Sequence, residues 1–243
     1  MSDIPSQLII GIVTSIAAAV IISLIVKSYK KGILERNRLK EEKNDQLEIG
    51  KKFLDQGLTK FHFSRDDYGR TLATFLKSAK QSISIVSISL KNTDDEGCLT
   101  DLFKRKLCAD HNFTVAISLI NPNNSALIKI VADTLNVTKD KLVKEITEML
   151  KDLLDCYEKL NPSERSRFKI LVHDCFPMGS VVMLDANPSG GMIQIETKLY
   201  KAPRTASFGF QLTKQSPFFK HNFESWQRII QDSKPFTKDQ LTK

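Results

Sequence analysis

Apolar and polar positions divide this chain into three stretches. From Leu8 to Val26 nineteen residues carry no charge, and about 20 apolar residues at 1.5 Å rise cross the roughly 30 Å hydrocarbon core of a bilayer. A transmembrane helix is therefore expected over 8–26. A cleaved signal peptide would put basic residues first, but Met1–Gln7 holds only Asp3 while Lys27, Lys30 and Lys31 follow the run. Within it Gly11, Ser15, Ala19 and Ser23 recur every fourth residue. Small residues on one helix face let two membrane helices approach closely, so self-association is expected.

The second stretch, 27–56, is rich in Lys, Glu, Arg and Gln, all good helix formers. Leu39, Leu47 and Leu54 are only roughly heptad-spaced, which suits either a loose coiled-coil stalk or a solvated helical linker ending at Gly57. Between Lys27 and Lys43 seven Lys or Arg stand against three Glu. Basic flanks stay on the cytoplasmic side. The expected placement is the inner (plasma) membrane, with residues 1–7 outside and the rest cytoplasmic. The same basic run would suit anionic lipid headgroups.

The third stretch alternates. Short β-branched runs (Thr59–Phe63, Ser82–Leu90, Phe113–Ile120, Arg167–His173, Phe208–Leu212) predict strands. Ser180–Asp185 and Met192–Tyr200 predict a hairpin around the Asn-Pro-Ser-Gly-Gly at 187–191. Helical spacing predicts helices over Asp67–Lys80, Gly97–Asp110, most of Ser125–Leu160 with a break near Asn136, and a last one opened by Ser216-Pro217. Thr138 is placed to cap the piece after the break. The aromatic face of the last helix, with Phe219, Phe223 and Trp226, reads as core. Strands alternating with helices predict an α/β domain over 57–235, followed by a basic tail, 236–243.

Composition adds a basic balance, +8 at neutral pH. Part of it is the juxtamembrane run, and Lys201–Lys243 is a second basic region with eight Lys or Arg against three acids. Lipid, nucleic acid or nucleotide would all suit such a surface, and no nucleic-acid-binding motif decides among them. The four cysteines lack C-x-x-C spacing and the four histidines stand apart, so no metal and no cofactor are expected. Weaker candidates are an anion site at Ser64–Asp67, where a helix cap is the plainer reading, and an acidic turn at Asp94–Glu96. Lys198, Lys201 and Arg204 flank a strand end and could face a phosphate.

The run TLATFLKSAKQSISIVSISL, then FTVAISLINP, the hairpin and a closing F-x3-F-x2-W helix together resemble the phospholipase D-like fold over roughly Gly57–Asp232. The resemblance implies a mixed sheet flanked by helices, to which the transmembrane helix and stalk read above from hydropathy and composition are joined. It also implies a place for chemistry. Active members carry His-x-Lys-x4-Asp on the strand that here runs from Met178 to Asp185, the His attacking phosphorus and the Lys holding a phosphoryl oxygen. With Asp185 as the motif's Asp, Met178 stands at the His position and Ser180 at the Lys position. Methionine offers no nucleophilic nitrogen and serine no positive charge, so the site is expected to be degenerate and the protein not an enzyme.

Three functions follow as expectations. One is a non-enzymatic membrane effector resembling those of prokaryotic antiviral immunity, its cytoplasmic domain binding a ligand or soluble partner and its helices then disrupting the membrane. The second is a membrane-bound phosphodiesterase acting on lipid or nucleic acid, with His173 and Lys198 as a fallback pair. The third is a membrane scaffold for a nucleic-acid-guided or nucleotide-signalling protein.

Overall fold

The computed structural model describes residues 35, 48, 50–62, 72, 74–90, 99–176, 179–202 and 206–241. The chain divides into two compact units, Met1–Lys52 and Phe53–Lys243. In the first, the described residues carry an exposed Glu48–Lys52 ion pair one helical turn apart. The second is an α/β domain.

Its strands are β1 (Leu58–His62), β2 (Ser82–Ser87), β3 (Thr114–Ile120), β4 (Phe168–His173), β5 (Gly179–Asn187), β6 (Gly190–Thr197), β7 (Gly209–Thr213) and β8 (Lys234–Pro235). They form one sheet in the order β1-β7-β6-β5-β2-β3-β4-β8. β2, β3 and β4 are parallel, and every other pairing is antiparallel. Parallel neighbours need crossovers, and these are helices: α1 (Leu99–Ala109) between β2 and β3, then α2 (Ser125–Thr134), α3 (Lys139–Glu158) and the single turn α4 (Pro162–Arg165) between β3 and β4. The last helix, α5 (Pro217–Asp232), follows β7.

Side chains alternate across a strand, so the sheet has two cores. One gathers Ile83, Ile85, Val115, Ile117, Phe168 and Ile170 against α1, α2 and α3. The other gathers Val86, Val181, Met183, Ile193 and Leu212 against Phe219 and Phe223 of α5. Ser82 and Ser84 of β2 lie on the same face as Val86 and are half-buried.

Local chemistry sets the boundaries. Asn136, at φ 53°, breaks the long helical stretch, and the Thr138 hydroxyl accepts from the Lys141 N–H at 3.3 Å to start α3. Ser216 caps α5, with Pro217 in its first turn. Gly57, at φ 73°, turns the chain out of the helical residues 51–55, and a β-carbon there would lie 2.3 Å from the Ser216 amide. No side chain fits at that approach.

One expectation needs correction. Among the described residues no helix is long and apolar enough to cross a membrane. The longest, α3, has twenty residues but is charged on nearly every turn. The fold class is thus an α/β domain with a mixed eight-stranded sheet, and neither the transmembrane helix nor single-pass inner-membrane placement is carried forward. Leu8–Val26 itself, with Gly11, Ser15, Ala19 and Ser23, and the basic Lys27, Lys30 and Lys31, lie outside the described residues. Of the residues expected to form a basic tail, Phe236 reaches the domain core. Phe236 is 4% exposed and packs in the first core, its N–H bonded to the Ile170 carbonyl at 3.0 Å.

Candidate functional site

The strand carrying the expected motif is β5, at the centre of the sheet. Its first residues lie at the carboxyl ends of the parallel strands, the edge at which open α/β sheets bind ligands. Gly179 is set so close to β6 that a β-carbon would lie 2.1 Å from the Glu196 carbonyl oxygen.

Register places a row of polar side chains across this edge. Ser180 pairs with Glu196, Glu196 with Gly209, and Gly209 with His62. Because Val181 pairs with Val86, the next residue out on β2 is Ser87, and its Oγ lies 2.8 Å from that of Ser180. His62, Ser87, Ser180 and Glu196 are all buried. Ser87 donates to the Ser89 carbonyl at 2.8 Å, so the shared proton between the two serines comes from Ser180. Lys198 lies two residues beyond Glu196 on the same face, and its ammonium meets the Glu196 carboxylate at 2.5 Å, with side chains 8% and 4% exposed. One strand turn back, Gln194 and Gln211 share an amide hydrogen bond, and the Gln194 Nε2 has no partner although it is fully buried.

Asp185, at the far end of β5, has a different task. It sits at φ 51° where the β5–β6 register shifts. Its carboxylate accepts from three successive backbone amides at the start of β2: Lys80 at 2.9 Å, Gln81 at 2.6 Å and Ser82 at 2.9 Å. The acid ties the entry of one central strand to a bulge in the next, and faces away from the serine end. Of the three motif positions, Ser180 and Asp185 thus lie at opposite ends of β5, while Met178 lies outside the described residues.

His173 and Lys198 do not meet. β4 and β6 are four places apart in the sheet, roughly 19 Å at the usual strand spacing. The His173 ring is 3% exposed and points to its own loop: Nδ1 lies 3.1 Å from the Cys175 carbonyl and 3.3 Å from the Cys175 thiol. Its Nε2 has no hydrogen-bond partner of good geometry. Burial holds the imidazole below its ordinary pKa, against the opposing pull of the Cys175 and Ser87 backbone and the Asp174 charge. Burial likewise pushes the Cys175 thiol up. The pair is therefore a neutral thiol beside a neutral imidazole, not an activated nucleophile.

A pH dependence follows. An unfolded histidine titrates near about 6.5, so below that value the unfolded chain binds a proton that the folded chain resists. The stability due to a neutral His173 is complete above about 6.5 and is lost as pH falls through the lower native value. Denaturant midpoints measured between neutral pH and about pH 5 should fall less steeply in His173→Asn than in the wild type; equal slopes would contradict the assignment.

Asp174, next in sequence, accepts from the side-chain amides of Asn121 at 2.9 Å and Asn124 at 3.1 Å, with Lys234 at 3.4 Å. The Asn124 hydrogen bond, then those of Asn121 and Lys234, hold its carboxyl below the ordinary aspartate range. This cluster joins the loops after β3 and β4 and starts α2, where the Asn124 side chain also accepts from the Leu127 N–H. Among the described residues no group of three metal-ligating side chains occurs. Lys201 bonds the Asp133 carboxylate at 3.5 Å in an exposed pair, while Ser64–Asp67, Asp94–Glu96 and Arg204 lie outside the described residues. The serine pair and the Glu196–Lys198 pair were missed in the sequence. Positions 194, 196 and 198 alternate within the expected Met192–Tyr200 strand, but polar residues on one strand face normally mean solvent.

No family model and no curated protein matches the chain. Among solved structures the fold overlaps that of TrmBL2, an archaeal chromatin protein with a novel mode of DNA binding, at 11% identity and a TM-score of 0.40, over 90% of this chain and 71% of that one. At that score the likeness carries no argument about fold or ligand.

Proposed function

We propose that the domain is a phospholipase D-like module that works by binding and not by hydrolysing phosphodiesters. The observation that supports this most directly is the state of Ser180. At the position where the motif needs a cation facing substrate, a buried hydroxyl is spent on Ser87. The nearby cation, Lys198, is neutralised by Glu196 and equally buried. A phosphoryl oxygen entering there would have to break both contacts and bury its own charge, which costs several kcal/mol on the order of an unpaired buried ion. His173 lies on β4, three places from β5 and four from β6 in the sheet, so its imidazole is out of reach as a substitute nucleophile.

The test is direct. The purified chain, given bis-p-nitrophenyl phosphate, phosphatidylcholine and single-stranded DNA with and without divalent cations, should show no turnover above the blank from about pH 5 to 8, where imidazoles titrate. Turnover that disappears in His173→Ala or Lys198→Ala would overturn the reading.

A further inference from the structure

The sheet's two edges differ, and the β4 edge carries a groove. β8 covers β4 for only two residues, Lys234 opposite Val172 and Pro235 opposite Leu171. The chain then leaves through Phe236 into a short turn at Lys238–Gln240. Toward the start of β4, between the end of α3 and the end of α5, a groove of about 950 Å³ remains. Its walls are apolar where Tyr157, Phe168, Ile170 and Ile230 line it, and its rim is cationic at Arg165, Lys169 and Lys238.

The charges are unequal. Among the described residues Glu158 is the one acid lining the groove, and Lys238 takes it at 2.9 Å. Arg165 spends its N–H groups on the carbonyls of Tyr157 and Glu158, with its guanidinium over the Tyr157 ring at 5.6 Å. Among the described residues neither Arg165 nor Lys169 is ion-paired with a carboxylate. Two uncompensated cations thus stand beside an apolar trough that follows a sheet edge. An extended chain fits it, apolar side chains down and acidic ones to the rim.

From this placement we infer that the β4-edge groove docks an extended protein segment of alternating apolar and acidic residues. The inference rests on the binding-module reading and names where the binding occurs. The probe is a fluorescein-labelled peptide of alternating valine and glutamate, added to the full chain and followed by anisotropy. Saturable binding is expected, about tenfold weaker in Lys169→Glu. Ile230→Asn, which makes the trough polar without changing its charge, should weaken it as well. Lys104→Glu makes the same charge change on exposed α1 and should leave binding unchanged. Circular dichroism confirms that each variant is folded.

Absence of saturable binding, equal weakening by Lys104→Glu, or equal binding of a valine–lysine peptide would each overturn the proposal. So would a labelled oligothymidylate that binds more tightly than the peptide and is displaced by Lys169→Glu, which would assign the groove to nucleic acid. Phosphodiesterase turnover would sink the non-catalytic reading and leave the peptide result standing, so the two failures are distinguishable.

Discussion

Asp185→Ala should lower stability by about 3 kcal/mol, the loss expected when several charge-assisted hydrogen bonds to backbone are removed together from a partly exposed site. Three successive amides, of Lys80, Gln81 and Ser82, lose their acceptor at once. Alanine also tolerates φ 51° less well than aspartate. Asp185→Asn keeps one acceptor oxygen and a side chain suited to that backbone, so about half the loss should return. Thermal unfolding reads the difference: about 10 °C for alanine in a domain of this size, and roughly half that for asparagine. A silent Asp185→Ala would show that the β2 entry is held by packing alone.

Lys198→Met should cost a comparable amount, about 3 kcal/mol, because it leaves the Glu196 carboxylate buried without that counter-charge. The informative measurement is the cycle with Glu196→Gln. Removing both charges leaves a neutral amide beside an apolar chain of similar length, and the double variant should be more stable than Lys198→Met alone. The coupling between the two positions should be about 1–3 kcal/mol. Simple additivity in urea unfolding would mean that the pair is screened by water, and that the motif end of the sheet is open to small anions.

Much of the domain was legible in the sequence, because most of its strands are β-branched runs and most of its helices have one apolar face. The strands expected at 113–120, 167–173 and 208–212 fall within a residue or two of β3, β4 and β7. The break near Asn136 and the caps at Thr138 and Ser216 are where local chemistry put them. What local pattern does not carry is pairing. β8 has two residues, one of them Pro235, and it is a strand only because Val172 lies beside it. The covering of β4 by Phe236 is likewise a long-range event, and Phe236 alone of the described residues after 235 is buried in the core.

The site divides along the same line. That Met178 and Ser180 stand where the expected motif has His and Lys was readable from residue type alone. How Ser180 and its neighbours are engaged was not, because it depends on side chains brought together from β2, β5 and β6. Trp226 shows the limit of periodicity from the other direction: it lies on the apolar side of α5 and packs against the second core, yet it is only half-buried.

The strand order has a consequence for biosynthesis. β1 has one neighbour, β7, and Leu58 pairs with Leu212, 154 positions later (212 − 58). At about 5–20 residues per second, a ribosome needs roughly 8 to 30 s to make the intervening chain. For that time β1, whose Phe61 packs edge-on against Phe53, has no native partner strand. Nascent chains carrying this domain should therefore engage holding chaperones early, and release should coincide with emergence of the segment around Leu212.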